Sequence, residues 1–194
     1  NETPDDTNGV YGENDDTRLD EVTAVSHTAV RRQSIGNCWL YATVGWVESL
    51  RKRYNNENAN LSETYLTYWH WYDQLVDGQI SGAEMETGGH WGEGVDLLRE
   101  RGVVTEAAFI PEEASLEMSA VQASALAAIN ASLTSGALRE PSARTNRTLV
   151  RQELNRAFGL STTVKAELDR VFGVDGSRTL LDSSTSRITS RMVT

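Results

Sequence analysis

Apolar residues recur at helical spacing along most of this chain, and polar turns separate the runs. Leu40, Val44, Val47 and Leu50, with Thr43 and Trp46 beside them, predict a helix that opens at Cys38. Arg51, Lys52 and Arg53 fall in its last turn, where cations complement the helix dipole. A polar turn over Asn55 to Asn60 follows, and then Ser62 caps a second helix with Glu63 in its first turn. Tyr65, Trp69 and Tyr72 form one stripe of that helix, and Tyr68, Trp71 and Leu75 form an adjacent one. Aromatic stripes at this spacing read as core. Asp77 to Gly89 is glycine-rich and turn-like, and Gly92 to Arg101 is a short helix with Val95, Leu97 and Leu98 inward. Further helices are predicted over Glu113 to Leu133, Thr145 to Phe158 and Ser161 to Phe172.

Three regions emerge. Residues 1–22 form an acidic leader: Asn1 to Glu21 holds eight carboxylates and few apolar residues beyond Val10, Tyr11 and Leu19. Such a stretch buries too little area to order itself, and reads as a tether or the remnant of a propeptide. Residues 23–172 carry the helical domain. Residues 173–194, rich in Ser, Thr and Arg, read as an exposed loop of the kind that proteases nick. Starting at Asn1 rather than Met suggests that an upstream segment was removed.

Charge narrows the partners. With 28 acidic against 18 basic residues the chain carries a net charge of −10, and Arg31-Arg32 and Arg51-Lys52-Arg53 are too short for a phosphate-binding patch. Nucleic acid is therefore excluded as a partner. No run approaches a membrane span, so no transmembrane segment is expected. One cysteine rules out an intrachain disulfide framework, which suits a bacterial cytoplasm or an exported protein without disulfides. The acidic leader leans the choice toward export. Sequons at Asn60, Asn130 and Asn146 arise readily by chance. No metal-spaced His/Cys cluster or phosphate-binding glycine loop occurs, and Glu84 and Glu86 read as a solvated loop.

The candidate chemistry centres on Cys38. Gly36 and Asn37 supply a turn and a capping residue immediately before it. The thiol therefore stands where a helix begins, among unpaired backbone N–H groups that favour an anion. Thiolates are the nucleophilic form of cysteine, and helix N-termini are among the places that favour them. A free cysteine is commonly a small buried hydrophobe, but a turn, a cap and an adjacent Trp39 make a poor recipe for a core position. Gln33, five residues upstream, offers a side-chain amide to an oxyanion beside the sulfur. Gly88 and Gly89 suit close pairing with an extended peptide backbone. His27, in an extended lead-in, reads as a surface residue, and His70 as a packed histidine on an aromatic helix face. His90, following the glycine pair, is placed to touch substrate.

At these residues the chain resembles the papain-like cysteine peptidases, which carry a glutamine and then Gly-x-Cys-Trp at a helix start, as in Gly36-Asn37-Cys38-Trp39. Within that family it is most similar to the bleomycin hydrolase and aminopeptidase C group, where Trp-Leu-Phe-Ala follows, close to Trp39-Leu40-Tyr41-Ala42. Leu61-Ser62-Glu63-Thr64-Tyr65-Leu66 resembles that group's Ser-Gln-(Ser/Ala)-Tyr segment, and Gly88-Gly89-His90-Trp91 its Gly-Gly-Gln-Trp. Arg101-Gly102-Val103-Val104 resembles its Gly-Val-Val-Pro turn. The likeness covers Gln33 to about Phe109. Gln33 lies one residue nearer the cysteine than in most of the family, and Arg32 holds the usual spacing.

The resemblance implies an α+β papain-like fold, of which this chain is mainly the helical domain, with a central helix starting at the catalytic Cys38. A β-rich half bearing the catalytic His and Asn is expected on a separate or missing segment. It implies a thiol protease that hydrolyses peptide bonds through an acyl-enzyme. Cys38 would be the nucleophile, Gln33 the oxyanion donor, and Trp39, Gly88, Gly89 and His90 would line the substrate groove. No metal or organic cofactor is required. The expected partners are a peptide or protein substrate and the C-terminal half of the same precursor, reached by self-processing into a two-chain enzyme. The alternatives are a catalytically inactive binding or scaffold module with the same fold, and a helical domain whose Cys38 is a redox sensor.

Overall fold

The structure, a computed structural model, describes residues 28–29, 31–80 and 82–181. Eight α-helices are found among the described residues: α1 (Cys38–Asn55), α2 (Glu63–Val76), α3 (Trp91–Arg101), α4 (Glu106–Phe109), α5 (Ala120–Ser135), α6 (Pro141–Arg144), α7 (Arg147–Ala157) and α8 (Thr162–Phe172). A single tight turn, Pro111–Glu113, sits between α4 and α5. The α+β expectation is corrected here. Among the described residues there is no strand, only the isolated backbone pairings of Arg32 with Met118 and Leu61 with Thr105. The described domain is all-helical, as its hydrophobic periodicity requires.

The central element is α2, not the helix that starts at Cys38. It packs against α1, α3, α4, α5 and α7. Its aromatic stripes are buried all round: Tyr65, Tyr68, Trp69, Trp71 and Tyr72 are each 0% exposed. The rings meet edge to face, with Tyr68 and Trp69 centroids 5.2 Å apart and Trp69 and Phe172 4.7 Å apart. That is the arrangement the ring quadrupoles prefer. Two guanidinium groups lie over Trp69, that of Arg101 at 4.2 Å and that of Arg151 at 5.1 Å from the ring centroid. Both are buried, and both are paired, Arg101 with Asp73 at 2.9 Å and Arg151 with Asp169 at 3.0 Å. A cation desolvated over an aromatic face is worth about 2 kcal/mol.

Local signals set most helix starts. Ser62 accepts from the Tyr65 N–H at 2.9 Å, Asn146 from the Leu149 N–H at 3.1 Å and Ser161 from the Val164 N–H at 3.2 Å. The helix expected over Glu113 to Leu133 instead runs Ala120–Ser135, because Glu113 stands outside it. The Glu113 carboxylate accepts from the Ala120 and Val121 N–H groups, each at 2.8 Å, and from the Ser119 hydroxyl at 2.5 Å. A carboxylate is thereby placed against the positive end of α5.

The leader 1–22 and His27 lie outside the described residues. Of the segment read as an exposed loop, 173–181 is described and is tied to the helices. The Tyr72 hydroxyl donates to the Asp175 carbonyl at 2.6 Å, and the Leu180 N–H donates to the Glu100 carbonyl at 2.8 Å.

Candidate active site

Cys38 is the first residue of α1, and its side chain is exposed. The residue before it is not. Asn37 is 2% exposed, and its side chain makes no cap on α1; it turns inward, donating to Gln122 Oε1 at 2.8 Å and Thr67 Oγ1 at 3.0 Å. The expected side-chain cap is therefore corrected: the Asn37 carbonyl opens the helix, accepting from the Leu40 N–H at 3.0 Å. The N–H groups of Cys38 and Trp39 have no acceptor among the described residues. They sit at the positive end of the 18-residue α1.

Trp39 joins this helix start to the glycine pair. Its indole N–H donates to the Thr87 carbonyl at 3.0 Å, and its ring lies beneath Gly89. A Cβ on Gly89 would stand 2.5 Å from both Trp39 Cε2 and Glu93 Oε2, so a side chain there displaces the loop. Gly89→Ala should cost about 1–3 kcal/mol through overpacking and shift the Trp39 environment. Denaturant midpoints and tryptophan emission check this; a variant with both unchanged would mean that the loop does not rest on Trp39.

The loop is pinned from below by residues that the sequence did not flag. Gln74 donates to the Glu86 carbonyl at 2.9 Å and accepts from the Glu86 N–H at 3.2 Å. Asn130 Oδ1 accepts from the Met85 N–H at 2.8 Å. Gln74 is buried and Asn130 half-buried, and an amide turned inward on a helix is the one signal that could have found them.

The histidines have other employment. The His70 ring meets Trp39 edge to face with centroids 4.8 Å apart, its Nε2 is 2.6 Å from Gln74 Nε2, and it shares a hydrogen bond with the Gly88 backbone. Burial pushes its pKa below the usual histidine value. His90 is exposed and caps α3: its ring accepts from the Glu93 N–H at 3.4 Å while Glu93 Oε2 accepts from the His90 N–H at 3.1 Å. Gln33 is exposed in the turn that leads into α1, and its amide has no hydrogen-bond partner among the described residues. Trp39 and the Gly89 loop are thus brought together one residue after Cys38, and no imidazole is hydrogen-bonded to Cys38 among the described residues.

A cleft of about 550 Å³ lies along α1 beyond the cysteine, lined by Tyr41, Ala42, Gly45 and Trp46 and by Ala29 and Arg31, without Cys38 itself. Trp46 and Trp91 stand half exposed with centroids 5.1 Å apart. Among the described residues no group of His, Cys, Asp or Glu could hold a metal ion, and no helix is long and apolar enough to cross a membrane. Comparison with protein-family models gives no match, and comparison with curated proteins gives none either.

Proposed function

We propose that the chain supplies the nucleophile-bearing helical part of a cysteine peptidase. One observation carries the reading: an exposed thiol on the first residue of a long helix, with uncommitted N–H groups, beside a glycine loop seated on the next residue's indole. Attack of a Cys38 thiolate on a peptide carbonyl would place the oxyanion near the Cys38 N–H, with the exposed Gln33 amide free to turn toward it. The amine then leaves with a proton and water hydrolyses the thioester. An extended substrate would pair along Gly88 and Gly89, with His90 at the end of that loop.

Among the described residues no histidine is free to act as the base. His70 is engaged by Gln74 and Gly88, and His90 by Glu93. The resemblance to the papain-like peptidases supports a His/Asn pair on a further segment of the same precursor. Protein made from the complete reading frame and treated with a thiol-directed epoxide should gain one adduct, on Cys38, and Cys38→Ala should abolish both the adduct and peptide hydrolysis. An intact protein that takes no adduct would sink the peptidase reading and leave the binding-module one. Self-processing is read from intact masses, because Cys38→Ala protein should stay uncut.

A further inference from the structure

We infer that Asn37 is a positioning residue for Cys38, acting through a buried amide relay that runs through Gln122 on α5; this rests on the reading of Cys38 as a nucleophile. The relay is directional. Asn37 Nδ2 donates to Gln122 Oε1 at 2.8 Å, and Gln122 Nε2 donates onward to Thr64 Oγ1 at 3.0 Å and to the Tyr41 hydroxyl at 3.3 Å. Thr67 takes the second Asn37 hydrogen at 3.0 Å. Asn37 is 2%, Gln122 0%, Thr64 1% and Thr67 1% exposed, so the bonds among these four are shielded from bulk water, and only the one to Tyr41 is half-buried.

The consequence lies in what Asn37 does not do. An N-cap side chain normally accepts from the N–H of the second or third helical residue. Here those residues are Trp39 and Leu40, and the Asn37 side chain accepts from neither. Turned inward and held by α2 and α5, it leaves the Cys38 and Trp39 N–H groups for an anion at the thiol. A side-chain cap bonding the second helical residue would consume the Trp39 N–H; the Cys38 N–H, on the first, lies outside a cap's reach. The relay also fixes the turn that carries the cysteine, with Asn37 at φ −109° and ψ 34°.

The test uses the full chain and iodoacetamide, with variants of Gln122, which does not touch Cys38. Gln122→Met keeps the volume and removes the relay. Gln122→Glu keeps an oxygen to accept from Asn37. Alkylation of Cys38 in Gln122→Met should slow about tenfold at neutral pH, because the turn no longer holds the helix N–H groups toward the sulfur. At a pH where any thiol is ionised the rate should be unchanged, and Gln122→Glu should recover part of the neutral rate. Leu168→Ala, remote on α8, controls for loss of stability alone. Were Gln122→Met to behave like Leu168→Ala, or to alkylate at the wild-type rate, the inference would be overturned. Thr67→Val, a milder cut in the same relay, carries the same test if Gln122→Met does not fold. A wild-type thiol no faster at neutral pH than in denaturant would instead sink the nucleophile reading itself.

Discussion

Arg101→Ala should destabilise the domain strongly. Arg101 is 4% exposed, with its guanidinium 4.2 Å from the Trp69 centroid. Its Nη2 pairs with Asp73 at 2.9 Å, and its Nη1 donates to the Gly176 and Arg178 carbonyls at 3.0 and 3.1 Å. Truncation opens a cavity against Trp69, orphans two carbonyls and leaves Asp73 without its cation. Burial already pushes the Asp73 carboxyl up to about 6 with the arginine present, so the lone carboxylate would be poorly tolerated. Breaking such a pair costs about 3–5 kcal/mol, a large share of the roughly 5–15 kcal/mol that holds a domain folded. The melting temperature should fall by about 10 °C. Pairing Arg101→Met with Asp73→Asn should recover part of the loss, because neither a charge nor a hole remains. An Arg101→Ala protein that melts with the wild type would show that the pair is dispensable. Site geometry is at stake as well, because Arg101 closes α3, the helix whose first turn is capped by His90 next to Gly89.

Signals that act within one turn were legible in the sequence; those that act across the fold were not. Ser62 could be placed as a cap because it bonds to an N–H three residues on. Asn37 looked like another cap, yet its partner Gln122 is 85 residues away, and a buried amide pair outweighed the local bond. Glu113 looked like the start of an alanine-rich helix, whereas its carboxylate is better used satisfying the first N–H groups of that helix from outside. The stripes of α2 predicted core but not a helix buried on all but its His70–Asp73 side, because that depends on five neighbours that no local window contains. The α+β class came from the resemblance alone, and the residue pattern of the described domain holds no strand to support it. At the site, Cys38 stood out through its turn and helix start. The props of the glycine loop, Gln74 and Asn130, did not, since each holds backbone far from itself in sequence.

Stability should fall as pH rises from about 5 to 8, and Glu106→Gln should remove much of that fall. Glu106 is 3% exposed, and its Oε1 has no partner among the described residues. With Arg31, Tyr41, Glu63 and Glu113 it lines a cavity of about 10 Å³, room for one water. Burial pushes the Glu106 carboxyl from 4.5 up to about 8, and burial pushes Glu63 up to about 7 despite Arg31 at 3.2 Å. Both shifts favour the neutral acid in the folded state. Between the unfolded and folded values the native chain therefore holds protons that the unfolded chain has released, so each unit of pH costs stability. Asp73, raised from 3.8 to about 6, adds to the acid side of the same window. Glu153, Glu167 and Asp175 are shifted downward and stabilise in the opposite sense, losing their contribution only in stronger acid. His70, lowered by burial, opposes this below about 6.5, one proton against up to three, so the fall is shallower at its acid end and maximal stability stays near pH 5. Glutamine keeps the shape of Glu106 without its charge, so Glu106→Gln should match the wild type near pH 5 and exceed it by about 2–4 kcal/mol at pH 8 or above. Urea titrations across that range decide it. A variant with the full wild-type slope would mean that the proton load sits on Glu63 and Asp73, and that the free Glu106 oxygen reaches water when ionised.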